Sequence, residues 1–201
     1  MSHHDSPQTP PSPPASQVVS PDLQALIAEQ VRLQVATELK RLGLDPARPK
    51  RAALIASKGT LDMAYPPLIL ATAAAAMDME AAIFFTFYGL DIVRKKKLKH
   101  LKVPPLANPA MPVPVPNIIG VLPGMTYMAT WMMKDWMKKG GAPTIPDLLD
   151  FAKENGVRLI VCQMSLDVLG INKEELIDGL EFAGAAAFLD YAADADINLF
   201  V

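Results

Sequence analysis

Short, continuously apolar runs alternate with longer segments of helical character through most of this chain. Residues 52–57 (AALIAS) read as a buried strand closed by Lys58-Gly59. Residues 61–77 follow as a helix: LILATAAAAM favours it strongly, and Pro66 and Pro67 are tolerated near the first turns. A second strand, 81–87, ends at Tyr88-Gly89, so a strand–helix–strand unit with a right-handed crossover and parallel pairing is predicted. Further along, 91–102 is read as a basic helix, 108–116 as a proline-rich loop, 117–122 as a third strand and 125–139 as a helix. Thr144 then caps a helix over 145–154 that stops at Asn155-Gly156. A strand over 157–161 leads into Cys162 and a helix over 164–169. Asn172 caps a helix over 173–178, another covers 184–193, and 197–201 forms the last strand. Strands written as unbroken apolar runs between helices indicate an α/β fold with an open, doubly wound, mainly parallel sheet and helices on both faces.

The organisation changes before residue 51. Residues 1–19 are rich in proline, serine and threonine and offer too little apolar surface to offset the entropy of ordering, so a disordered tail is expected, with His3 and His4 an incidental pair. Residues 20–43 read as an N-terminal helix with Ser20 as cap, Pro21 in the first turn and Gly43 as stop. Its broad apolar face, including Leu26, Ile27, Val31 and Leu39, suits packing on its own domain or an oligomeric contact, without a sustained heptad. Residues 44–50 form a polar linker, and 51–201 form the α/β domain.

Composition narrows the functional classes. The formal net charge of −2 gives no whole-chain attraction for nucleic acid. The distribution is uneven, because residues 94–102 (RKKKLKHLK) are strongly basic and 144–201 are acidic. The basic run reads as a solvated face or as a docking patch for an acidic partner, and no aromatic residues interleave with it as nucleic-acid binding would require. Residues 118–133 are nearly uncharged but shorter than the roughly 20 residues that span a bilayer. Burial or an interface is favoured over a spanning helix, with a membrane contact through the Met/Trp segment 125–139 left open. One cysteine cannot form an internal disulfide, and the N-terminus lacks the basic and apolar regions of a signal peptide, which suggests a reducing, cytoplasmic location.

The candidate chemistry is sparse. No metal site is expected from three histidines, two of them in the tail. The loop Ser57-Lys58-Gly59-Thr60 lacks both phosphate-binding glycine patterns, no cofactor is implied, and a plain turn is the simpler reading. Cys162 remains. At the carboxyl end of a strand and the start of a helix, free amides would favour a thiolate, and Lys58 would add positive charge if its strand is a neighbour. The same position suits a buried cysteine that only fills space, and position alone leaves both readings open. The segment 125–139 likewise suits core packing, an adaptable partner surface or a lid over Cys162.

Several separated blocks in order, LIASKGTLDMAYPPLILATAAAAM, IFFTFYGL, NIIGVLPGM with ATWMMK, VRLIVCQMSLDVLGI, ELIDG and FLDYAADADINLFV, resemble the DsrE/DsrF/DsrH-like sulfurtransferases. The closer likeness is to the DsrE-like subgroup often labelled peroxiredoxin-family or sulfur-carrier proteins, and it covers residues 51–201. The resemblance implies a five-stranded parallel sheet, homo- or hetero-oligomers, and a cysteine after the fourth strand that carries sulfane sulfur as a persulfide, which maps onto Cys162. It further implies a TusA-like sulfur carrier, and with it a rhodanese, as partners, in sulfur oxidation or sulfur trafficking. The chain departs from relatives with a further cysteine, so an internal resolving thiol and a peroxiredoxin-style disulfide cycle have no residue to use. The alternative is a non-catalytic module that binds a partner or a membrane through 125–139 and uses Cys162 only for packing.

Overall fold

The computed structural model describes residues 20–42, 48–104 and 122–201. Its contacts divide the chain between Arg48 and Pro49. In the first unit, helix α1 spans Pro21–Arg41. The Ser20 hydroxyl accepts from the Leu23 amide at 3.4 Å, Asp22 lies at the positive end of the helix, and Lys40 and Arg41 lie at its negative end. The expected stop at Gly43 and the tail with His3 and His4 fall outside the described residues.

The second unit is built on five parallel strands: β1 Arg51–Ala56, β2 Glu80–Phe85, β3 Arg158–Cys162, β4 Glu181–Ala183 and β5 Ile197–Phe200. Their order is β4-β3-β2-β1-β5. The helices are α2 Leu61–Ala76, α3 Met125–Lys139, α4 Ile145–Glu154, α5 Gln163–Leu169 and α6 Ala185–Ala193. The doubly wound α/β architecture read from the sequence is therefore what forms, and its two faces are unequal. Side chains alternate across a strand, so Ala52, Leu54, Ile83, Phe85, Leu159 and Val161 join one large core with α2, α4 and Leu166 of α5. Ala53, Ala82, Phe84, Ile160 and Cys162 point the other way, into a smaller core closed by Phe188 and Ala192 of α6.

Two sequence expectations are corrected. Residues 91–102 do not form a helix: a 3-10 turn covers Phe87–Val93 and irregular turns follow. Consecutive cations on a helix repel, and here they find carboxylates instead. The Arg94 guanidinium donates to Glu175 at 2.6 Å, Lys97 pairs with Asp91 at 2.8 Å, and Lys95 approaches Asp178 at 3.6 Å. The same ties shorten the expected helix over 173–178 to the 3-10 turn Lys173–Glu175, because Leu176 bridges to Arg94 and the Ile177 amide donates to the Val93 carbonyl. The sequence reading also missed β4, whose three residues are too few to show a period. The strand read over 117–122 lies outside the described residues except for Leu122, which sits in a bend.

The carboxyl edge of the sheet is tightly interlocked. A Cβ at Gly59 would run into the Tyr88 carbonyl oxygen, and one at Gly89 into the Ala56 carbonyl oxygen. Thus the loop after β1 and the turn after β2 are in backbone contact that only glycine permits. The Ser57 amide and hydroxyl both donate to the Val201 carbonyl, at 2.9 and 3.0 Å, which ties the same loop to the end of β5. At the opposite edge Arg158 makes two hydrogen bonds to Glu181, at 3.0 and 2.6 Å, across β3 and β4.

Gly89→Ala should lower stability by about 1–3 kcal/mol in a urea titration, through overpacking against backbone that cannot yield as a side chain would. The acid limb of stability gives a second test. Hydrogen bonds from Arg158 hold the Glu181 carboxyl below its usual range, so its contribution is present above the unfolded-state pKa and is lost as pH falls through the lower folded value. Glu181→Gln should flatten that part of the pH profile, measured as the urea midpoint.

Candidate functional site

Cys162 is the last residue of β3 and stands at the N-cap position of α5, with extended backbone angles of φ −68° and ψ 111°. The apolar run Arg158–Cys162 forms the strand, and the chain turns into α5 immediately afterwards. That helix stops at Gly170, whose φ of 61° is the left-handed conformation that favours glycine, while the Ile171 amide closes the turn on the Leu166 carbonyl at 3.0 Å. The Ser165 hydroxyl, fully buried in the first turn of α5, lies 3.0 Å from the Thr86 hydroxyl just past β2. This bond fixes α5 against the neighbouring strand and so sets the direction in which the chain leaves Cys162.

The thiol itself is buried, with 3% of the residue exposed. Its side chain belongs to the smaller core with Phe84 and Phe188, whose rings stack at 4.7 Å between centroids. Across the sheet Cys162 pairs with Ala183 of β4, and Gly184 then begins α6. No side-chain capping bond is made by Cys162 to the amides of α5. The geometry thus combines a strand-end cysteine beside a helix start, as the sequence suggested, with a closed apolar wall over the sulfur, which the sequence did not suggest.

The structure separates other residues that the sequence had grouped with Cys162. Lys58 follows β1, and β2 lies between β1 and β3, so the condition for Lys58 to assist the thiolate is not met. Helix α3 is no lid over the cysteine: Ala129 and Met133 pack on the large core, on the opposite side of the sheet. Its Tyr127 and Trp131 are 73% and 65% exposed. Among the described residues, no helix is long and apolar enough to cross a membrane. The basic run is partly neutralised by Asp91, Glu175 and Asp178, and Lys99 and Lys102 lie beside α3.

What does lie beside the carboxyl end of β3 is the turn after β2. Phe87 has a φ of 46°, an unfavourable conformation for a bulky residue, and both Phe87 and Tyr88 are exposed. Nothing in the residue string signals that strain. Met164 in the first turn of α5 is exposed as well.

The model of the DsrE/DsrF/DrsH-like family matches residues 48–200. This chain belongs to that family. It is 48% identical over 158 residues to a protein of Allochromatium vinosum named sulfur carrier protein DsrE2, covering 76% of this chain and 98% of that one. It is 35% identical over 155 residues to the Bacillus subtilis protein YrkE, covering 76% of this chain and 97% of the relative. The crystal structure of the YchN protein from E. coli aligns over 77% of this chain and 100% of its own, with a TM-score of 0.46 and 15% identity.

The wall over Cys162 is directly testable. In the native protein, alkylation of Cys162 by iodoacetamide should be at least tenfold slower than in urea. Phe188→Ala should raise the native rate at least tenfold while lowering stability by about 3–5 kcal/mol, and the milder Phe188→Leu should move both in the same direction. Equal rates in native and unfolded protein would contradict the closed geometry.

Proposed function

We propose that this protein is a sulfur carrier that accepts sulfane sulfur on Cys162 as a persulfide and passes it to the thiol of another protein, in sulfur oxidation or sulfur trafficking. The observation that carries the reading is the position of its single cysteine, at the carboxyl end of a central strand and the first turn of a helix, where parallel α/β sheets gather their reactive groups. The extensive identity with a relative named as a sulfur carrier protein supports the same reading.

Loading is an exchange in which the Cys162 thiolate attacks the outer sulfur of a donor persulfide R–S–SH. The new S–S bond gives Cys162–S–SH, the donor S–S bond breaks, and R–S⁻ leaves with the electron pair. Unloading repeats the step with an acceptor thiolate attacking the outer sulfur and the Cys162 thiolate leaving. With one cysteine in the chain no internal disulfide competes, so the sulfur must leave for another molecule. A rhodanese suits the role of donor and a small TusA-like carrier that of acceptor, in a reducing cytoplasm, which suits a free thiol. On the face that α6 covers, Leu189 and Phe200 are exposed, which suits packing between copies of this chain in a homo-oligomer.

Burial of Cys162 favours a second reading, in which the thiol only fills the smaller core and the exposed Tyr127 and Trp131 of α3 bind a partner or a membrane surface. Intact-mass spectrometry separates the two. After incubation with a low-molecular-weight persulfide, the carrier gains the mass of one sulfur atom, loses it on reduction, and gains none as Cys162→Ser. An unmodified mass for the wild-type protein, or the same gain in the variant, would favour the packing reading.

A further inference from the structure

A cavity of about 720 Å³ lies on the side of the sheet away from Cys162, between α3, the start of α4 and the first turns of α2. This volume is within the range of small-molecule sites. Leu61, Tyr65, Leu98 and Ile145 give it an apolar lining, and the Tyr65 hydroxyl donates to the Pro143 carbonyl at 3.1 Å, which fixes that ring in place.

Three lysines, Lys99, Lys134 and Lys138, reach the same cavity. Lys134 and Lys138 are one helical turn apart on α3, a spacing at which like charges repel. The neighbouring Lys139 is paired with Asp135 at 2.7 Å, whereas among the described residues neither Lys134 nor Lys138 has a carboxylate within ion-pair distance. The Lys134 ammonium instead donates to the Lys99 backbone carbonyl at 3.1 Å, which holds the Lys134 side chain against the 94–102 segment. The single acid of the lining, Asp147, is held by the Thr144 amide and hydroxyl at 3.0 and 2.6 Å as part of the α4 cap. The cavity therefore keeps an excess of two positive charges beside an apolar wall.

We propose that this cavity binds an amphiphilic anion, an alkyl chain ending in a carboxylate or phosphate head group. The head group sits among Lys99, Lys134 and Lys138, and the chain lies along Leu61, Tyr65, Leu98 and Ile145. Apolar area supplies the affinity and the unpaired ammonium groups select the charge, because each would otherwise face its like.

Calorimetric titration of the full chain with decanoate and with decyl phosphate, both below their micellar concentrations, tests the assignment. Saturable binding at one site per chain is expected for at least one of them, and the tighter of the two names the head group. Decanol and inorganic phosphate should each bind at least tenfold more weakly, and the double variant Lys134→Ala/Lys138→Ala, changed only at solvent-accessible lysines, should lose at least tenfold in affinity. Cys162→Ser should bind as wild type, so the outcome is independent of the sulfur-carrier reading. No saturable binding of either amphiphile would overturn the proposal. So would equal binding by the lysine variant, or binding of decanol or inorganic phosphate as tight as that of the amphiphiles.

Discussion

Successive side chains of a strand point to opposite faces of its sheet, so Val161 and Cys162 at the end of β3 cannot share a core. Val161 enters the large core beneath α2 and α4, and Cys162 enters the smaller one, to which α6 contributes Phe188 and Ala192. Most of what the site can do depends on that alternation. A cysteine one position earlier would be locked beneath several helices. At 162 it shares the smaller core with Phe188 of α6, a helix of nine residues.

The carboxyl edge supplies the complementary rigidity. Backbone contacts at Gly59 and Gly89, the Ser57 bonds to Val201 and the Thr86–Ser165 hydroxyl pair tie β1, β2, β5 and the first turn of α5 into one frame. The strained Phe87 is held within that frame, and strain of this kind persists only where the surroundings over-determine the backbone.

Much of this was legible in the residues. The unbroken apolar runs disclosed β1, β2, β3 and β5, and the Thr144 cap disclosed α4 to the residue, because these signals are local. The three-residue β4 carried no period, and the turn that replaces a basic helix after Phe87–Val93 depends on Asp91 and Glu175, the second of which is distant in sequence. Cys162 could be placed at a strand end from its flanks alone. Which way its side chain points depends on strand register and on α6, and the pairing of Cys162 with Ala183 is a property of the assembled sheet. For the same reason the sequence left core packing, a partner surface and a lid open for α3, which packs on the opposite core through Ala129 and Met133.

The central claim is that Cys162 both takes up sulfur and gives it away, and a single-turnover chase tests this most directly. The protein is loaded with isotopically labelled sulfane sulfur, freed of donor, and mixed with an excess of a small acceptor protein bearing one reactive thiol. The account predicts that the label leaves Cys162 and appears on the acceptor, mole for mole, as a persulfide. Label that stays on Cys162, or that appears on the acceptor at the same rate when Cys162→Ser replaces the wild type, would contradict it.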